Sequence, residues 1–210
     1  MPRTDDYKAA IALAVAELKQ INPKRLEAKS GGEYFVEDAN DGLIIPYFGL
    51  PRRIAWPEVS VTPGNDQGEI SLPEQILILH YLLHASGEPL AGRAIDFRQV
   101  PEGGFYWSAF VSRAKTPLLE TFGRDLKLYL KVAVSLGGQP RSLGDASASF
   151  LAFPRVPVTH VLWGGDEEFS PEANILFDES IPRYFPTEDI AALSGASVYR
   201  LMGAAYKLRQ

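Results

Sequence analysis

The sequence predicts an α+β fold: one domain over residues 1–210, with a mostly antiparallel sheet packed with several helices. Three observations predict it. Short β-rich runs separated by turn signals fill residues 33–70 and 147–178. Helical patterns open the chain, close it and separate those two runs. Turn signals such as Asn40-Asp41-Gly42 and Pro63-Gly64-Asn65 join the first of those runs as an antiparallel meander.

The elements follow in order. Thr4 is placed to cap a first helix, with Asp5 and Asp6 in the first turn where the helix dipole favours acids. Ile11, Leu13, Val15, Leu18 and Ile21 form its apolar stripe, and Pro23 stops it. Residues 24–29 read as a short second helix closed by Gly31-Gly32. Runs 33–36, 43–48, 54–56 and 59–62 read as an antiparallel meander, with Asn40-Asp41-Gly42 and Pro63-Gly64-Asn65 as turns.

Ser71-Leu72-Pro73-Glu74 is a capping-box pattern for a helix that runs through ILILHYLLHAS and ends at Gly87. Residues 93–100 read as a strand, and 105–111 as an aromatic segment of either type. Helices are expected at 117–122 and 125–136, and strands at 147–155, 157–163 and 173–178. A last helix runs from Thr187 to Lys207, with Gly195 as a candidate break. The acid-rich run 164–172 reads as an exposed loop joining two neighbouring antiparallel strands, with the Trp163 ring packed inward.

Composition narrows the function classes. The chain has no cysteine, so disulfides, thiolate nucleophiles and protein-held iron–sulfur clusters are out. No apolar run is long enough to span a membrane. The N-terminus has acids where an export signal needs basic then apolar residues, which implies a cytoplasmic protein. Net charge is −5, yet residues 160–190 hold eight acids and one base, leaving 18 acids and 20 bases elsewhere. The bases are scattered, so nucleic-acid binding is not expected.

Candidate metal ligands are His80, His84, His160 and Asp166. His80 and His84 stand four apart, so one helix face presents both. No Glu follows the first, so the metalloprotease pattern fails. The helix is apolar nearly all round, which points to buried, hydrogen-bonded histidines as the weightier reading. His160 sits on a strand face with Val158 and Leu162. Gly164-Gly165-Asp166-Glu167-Glu168 lacks the alternate spacing of a calcium loop and reads first as solvated. Phe105, Tyr106 and Trp107, with Arg113 and Trp163, are the candidates for an aromatic ligand wall; the rival reading is core. Phosphate-loop, dinucleotide and nucleophile-elbow motifs are lacking.

Several of these stretches also carry a resemblance. LHYLLHASG, Arg113-Ala114 before Pro117-Leu118, LWGGDEEF and Leu176-Phe177-Asp178 together resemble the bacterial and archaeal domain-of-unknown-function family numbered 3786. The resemblance covers most of the chain. It implies occurrence largely in anaerobes and, in some members, a cysteine-rich iron–sulfur module that this chain lacks. It implies no catalytic residues. The leading expectation is therefore an accessory or binding protein for a cofactor-like ligand or a redox or iron–sulfur protein partner. A metal-assisted enzyme using His80 and His84 is the second, and a structural interaction module the third.

Overall fold

Helix α1, Thr4–Leu18, opens the described chain in the computed structural model, which describes residues 4–38, 40–65 and 68–209. Ala14 and Leu18 are buried and Ile11 and Val15 half-buried, a stripe at helical spacing. Leu13, expected in that stripe, is 67% exposed, because two residues along a helix turn a side chain to the far side. Helix α2, Pro23–Ser30, is capped by the Asn22 side chain, which accepts the Lys24 N–H at 2.9 Å.

The expected meander follows: β1 Glu33–Glu37, β2 Asn40–Tyr47, β3 Leu50–Trp56 and β4 Ser60–Pro63, antiparallel in that spatial order. Tyr47 pairs with Leu50, leaving Phe48 and Gly49 as a two-residue turn, both at positive φ (47° and 77°). That conformation suits the right-handed twist of a hairpin, and glycine adopts it without strain. Period-two alternation buries Leu43, Ile45, Tyr47, Ile54 and Trp56 on one face. Arg52 is buried on it too, and its Nε donates to Glu74 Oε1 at 2.5 Å.

Helix α3, Leu72–His84, begins at the expected cap: Ser71 Oγ accepts the Glu74 N–H at 3.4 Å. Glu74 does not return the capping-box bond, because its carboxylate serves Arg52. The helix ends at His84, three residues before the left-handed Gly87. Ile76, Leu77, Ile78, Leu79, Tyr81 and Leu82 are buried. Tyr81 stacks on Phe153 at 4.4 Å and donates to Ser30 O at 2.6 Å.

The chain divides into two compact units. One takes in the residues up to Pro89 with Phe153–Arg155 and Arg183–Phe185; the other takes in Leu90–Ala152, Val156–Pro182 and the chain from Pro186 onward. The second unit begins with β5, Ala94–Asp96, and a 3-10 turn, Phe97–Gln99, where a strand over 93–100 was expected. The strand stops because Asp96 caps the turn, accepting from the Arg98 and Gln99 N–H groups while Gln99 returns a bond.

A helical run follows: α4 Trp107–Phe110, a π turn Val111–Lys115, α5 Thr116–Phe122 and α6 Leu126–Ser135. Strands β6 Gln139–Pro140, β7 Ala146–Phe153, β8 Val156–Trp163 and β9 Glu172–Asp178 complete an antiparallel sheet ordered β5-β9-β8-β7-β6. Helix α7, Thr187–Leu208, closes the chain unbroken. At Gly195 a Cβ would lie 3.1 Å from Arg113 O, so the glycine there permits close helix packing and is not a break. The fold is α+β, as the sequence predicts, and no helix among the described residues is long and apolar enough to cross a membrane.

Candidate functional site

The two histidines of α3 share a face, as their spacing requires, with ring centroids 6.1 Å apart. They are not in the core: His80 is half-buried and His84 exposed. The apolar stretch around them is buried on the side that carries Ile78, Leu79 and Leu82, and His84 falls outside it. Among the described residues, no group of three or more His, Asp or Glu side chains is placed to hold a metal ion. Of the four candidate ligands, His80 and His84 belong to the first unit, and His160 and Asp166 to the second.

His160 is fully buried on β8, between Val158 and Leu162 as alternation predicts. Its Nε2 lies 2.8 Å from Ser197 Oγ on α7. The Ser197 hydroxyl donates its one proton to Ser194 O at 2.7 Å, so Nε2 must be the donor to Ser197. Nδ1 is therefore an unprotonated acceptor, and it is buried without a partner. The Phe150 and Tyr129 rings stand 5.5 and 6.4 Å away. Burial in this apolar cage pushes the imidazole down to about 3, so it is neutral at physiological pH. A neutral, hydrogen-bonded, enclosed histidine is a structural group.

The acidic run does join neighbouring antiparallel strands: Trp163 pairs with Glu172 and His160 with Ile175. Its carboxylates are exposed. Asp166 accepts from the Phe169 N–H at 2.7 Å and the Glu168 N–H at 2.9 Å, and these two bonds hold its carboxyl below the usual range. The loop and Gly123, Arg124 and Leu126 line an open cleft of about 560 Å³. Trp163 does not pack inward; it is 40% exposed. It falls on the opposite sheet face from Val158, His160 and Leu162, and its ring lies against the backbone of Gly144.

The aromatic segment is built on a pinned loop. Glu102 adopts φ +58°, and a Cβ on Gly103 would lie 2.0 Å from Phe97 O, so only glycine fits there. Thr187 Oγ1 donates to Pro101 O at 2.6 Å, and the Phe105 N–H donates to Glu102 O at 2.9 Å. Behind the loop, Phe97 stacks on Phe110 at 4.3 Å, and Trp107 stacks on Phe110 at 5.4 Å. The Arg98 guanidinium sits 4.0 Å over the Trp107 ring, and the Lys115 ammonium 6.0 Å from it. Lys115 also pairs with Glu172.

With Phe110 and Arg98 on the indole, little of its face is left for a flat ligand. Phe105 is different: it is 82% exposed, with Tyr106 edge-on at 5.0 Å as its one ring contact among the described residues.

Sequence reasoning found the segment but not its cations. Arg113, the basic residue singled out there, has its backbone against Gly195, and Trp163 makes no ring contact with residues 105–107 among the described residues. Lys115 stands eight residues after Trp107, a spacing that places both on one helix face and was readable. Arg98 arrives through the sheet and 3-10 turn, which no local pattern reveals.

No curated protein matches the chain, and no solved structure does. Residues 22–200 match DUF3786, a domain of unknown function, and they contain α3, the aromatic segment, the acidic loop and most of α7; the chain belongs to that family.

Proposed function

We propose that this chain is a cytoplasmic accessory binding protein that docks a protein partner, redox or iron–sulfur in nature, through the surface around Phe105. The observation that carries the reading is an apolar ring 82% exposed on a loop held by the Thr187 bond to Pro101 O and by the close approach of Gly103 to Phe97 O. A large apolar side chain held in water costs stability, and rigid aromatic anchors of this kind dominate protein–protein recognition. Pre-ordering the loop lowers the entropy lost on binding.

The half-filled indole face favours a protein partner over a flat cofactor. The resemblance to a family whose members can carry an iron–sulfur module favours a redox partner. A metal-assisted enzyme using His80 and His84 draws no third ligand from the described residues. Calorimetric titration of the full chain with a purified [4Fe–4S] ferredoxin tests the redox reading. Saturable binding, weakened about tenfold or more by Phe105→Ser, is the expected result. Absence of binding, or binding that Phe105→Ser leaves unchanged, overturns it.

A further inference from the structure

Three histidines and no cysteine are all the imidazole and thiolate donors this chain can offer a transition metal ion. His160 is fully buried and engaged with Ser197, which leaves His80 and His84. These two stand four apart on the 13-residue helix α3, the spacing that sets one side chain over the next. The backbone beneath them is fixed, because Ile78, Leu79 and Leu82 are fully buried in the first unit. His80 is half-buried, so part of its rotamer freedom is already lost on folding, while His84 is open to solvent.

The ring spacing fits one shared ion. A metal about 2.0–2.1 Å from an imidazole nitrogen lies about 3.2 Å from the centre of that ring, so two rings on one metal stand at most about 6.4 Å apart. The His80 and His84 centroids are 6.1 Å apart. Rotation of the exposed His84 side chain closes that to the spacing of about 5 Å that a tetrahedral angle needs. The helix adds a field of the right sign. His84 lies in the last turn of α3, where the macrodipole is negative and favours a cation.

We propose that His80 and His84 together bind one divalent transition metal ion of the nickel, copper and zinc group. Two protein ligands leave the rest of its coordination sphere to water or to a donor from another molecule, so the site is open, unlike the closed cage of a structural zinc. Imidazole nitrogen selects these ions over calcium and magnesium, which take oxygen ligands. The carboxylates of the acidic loop, which belong to the second unit, have the opposite preference.

The test is calorimetric titration of the full chain, prepared without an affinity tag, with nickel(II) and with zinc(II). One saturable equivalent is expected, and excess calcium or magnesium should not displace it. Changes behind a metal ligand cost about 10–100-fold in affinity, so removing a ligand with His84→Ala should weaken binding about tenfold or more. His84 is exposed, so that variant keeps the fold. His80→Gln should weaken binding likewise, which separates a shared ion from one held by His84 alone. Asp166→Asn, in the acidic loop, is the control and should leave the affinity unchanged. No saturable site up to about 1 mM metal overturns the proposal. So does a site that survives either histidine change, or one that calcium displaces.

Discussion

Protonating His160 should unfold this protein from within, and the size of the effect follows from its surroundings. The imidazole is enclosed by Phe150, Tyr129 and α7, with Nδ1 unpartnered, and burial lowers it to about 3. In the unfolded chain it titrates near its ordinary value of about 6.5. Between those values the unfolded state binds one more proton than the folded state. Stability is therefore full above about pH 6.5 and falls with pH, by about 1.4 kcal/mol per unit, until about pH 3. From about pH 7 to about pH 5 the loss is about 2 kcal/mol from this one group.

The perturbation is His160→Gln, which keeps a hydrogen-bonding amide and cannot titrate. Urea unfolding followed by circular dichroism at several pH values in that range is the assay. His80 and His84 remain in both proteins, so the difference in slope belongs to His160. Its stability at neutral pH will fall; the steeper decline of the wild type is what counts. Parallel declines in the two proteins would refute the buried, neutral assignment.

Three further perturbations follow from the same geometry. Leu79→Ala, at a fully buried position of α3, should cost about 2–5 kcal/mol in chemical denaturation, and a cost below about 0.5 kcal/mol would place α3 outside the core. Replacing Asp166, Glu167 and Glu168 with Asn, Gln and Gln should change stability by less than about 1 kcal/mol, since all three face solvent and Asn still accepts the Phe169 N–H. A variant that fails to fold would show that these carboxylates hold the loop together. Gly103→Ala should destabilise by about 1–3 kcal/mol, because its Cβ has no room beside Phe97 O; an unchanged melting temperature would show that the loop can relax.

How far the sequence reaches depends on whether a signal is local. The meander was legible because its turns and its alternation are written within a few residues: Leu43, Ile45 and Tyr47 face inward by period two alone. The loop at 164–171 was legible for the same reason, since contiguous acids after Gly-Gly suit only an exposed connection. The exposures of His84 and Trp163 depend on which neighbours arrive, and those come from distant segments. Trp163 stays half in water with its ring against Gly144, nineteen residues earlier in the chain. The π turn at Val111–Lys115 and the two-residue β6 have no sequence signature of their own. At the candidate site, the aromatic run was visible, but Arg98 reaches Trp107 only through the folded sheet and 3-10 turn.

The account rests on Phe105 as the point of contact with another protein. A photoactivatable benzoyl-phenylalanine at position 105, expressed in cells that naturally make this protein, tests that most directly. Position 169, another exposed phenylalanine in the acidic loop, serves as the control. The account predicts a discrete crosslinked protein adduct at 105 and none of the same mass at 169. No adduct at 105, or the same adducts at both positions, would contradict it.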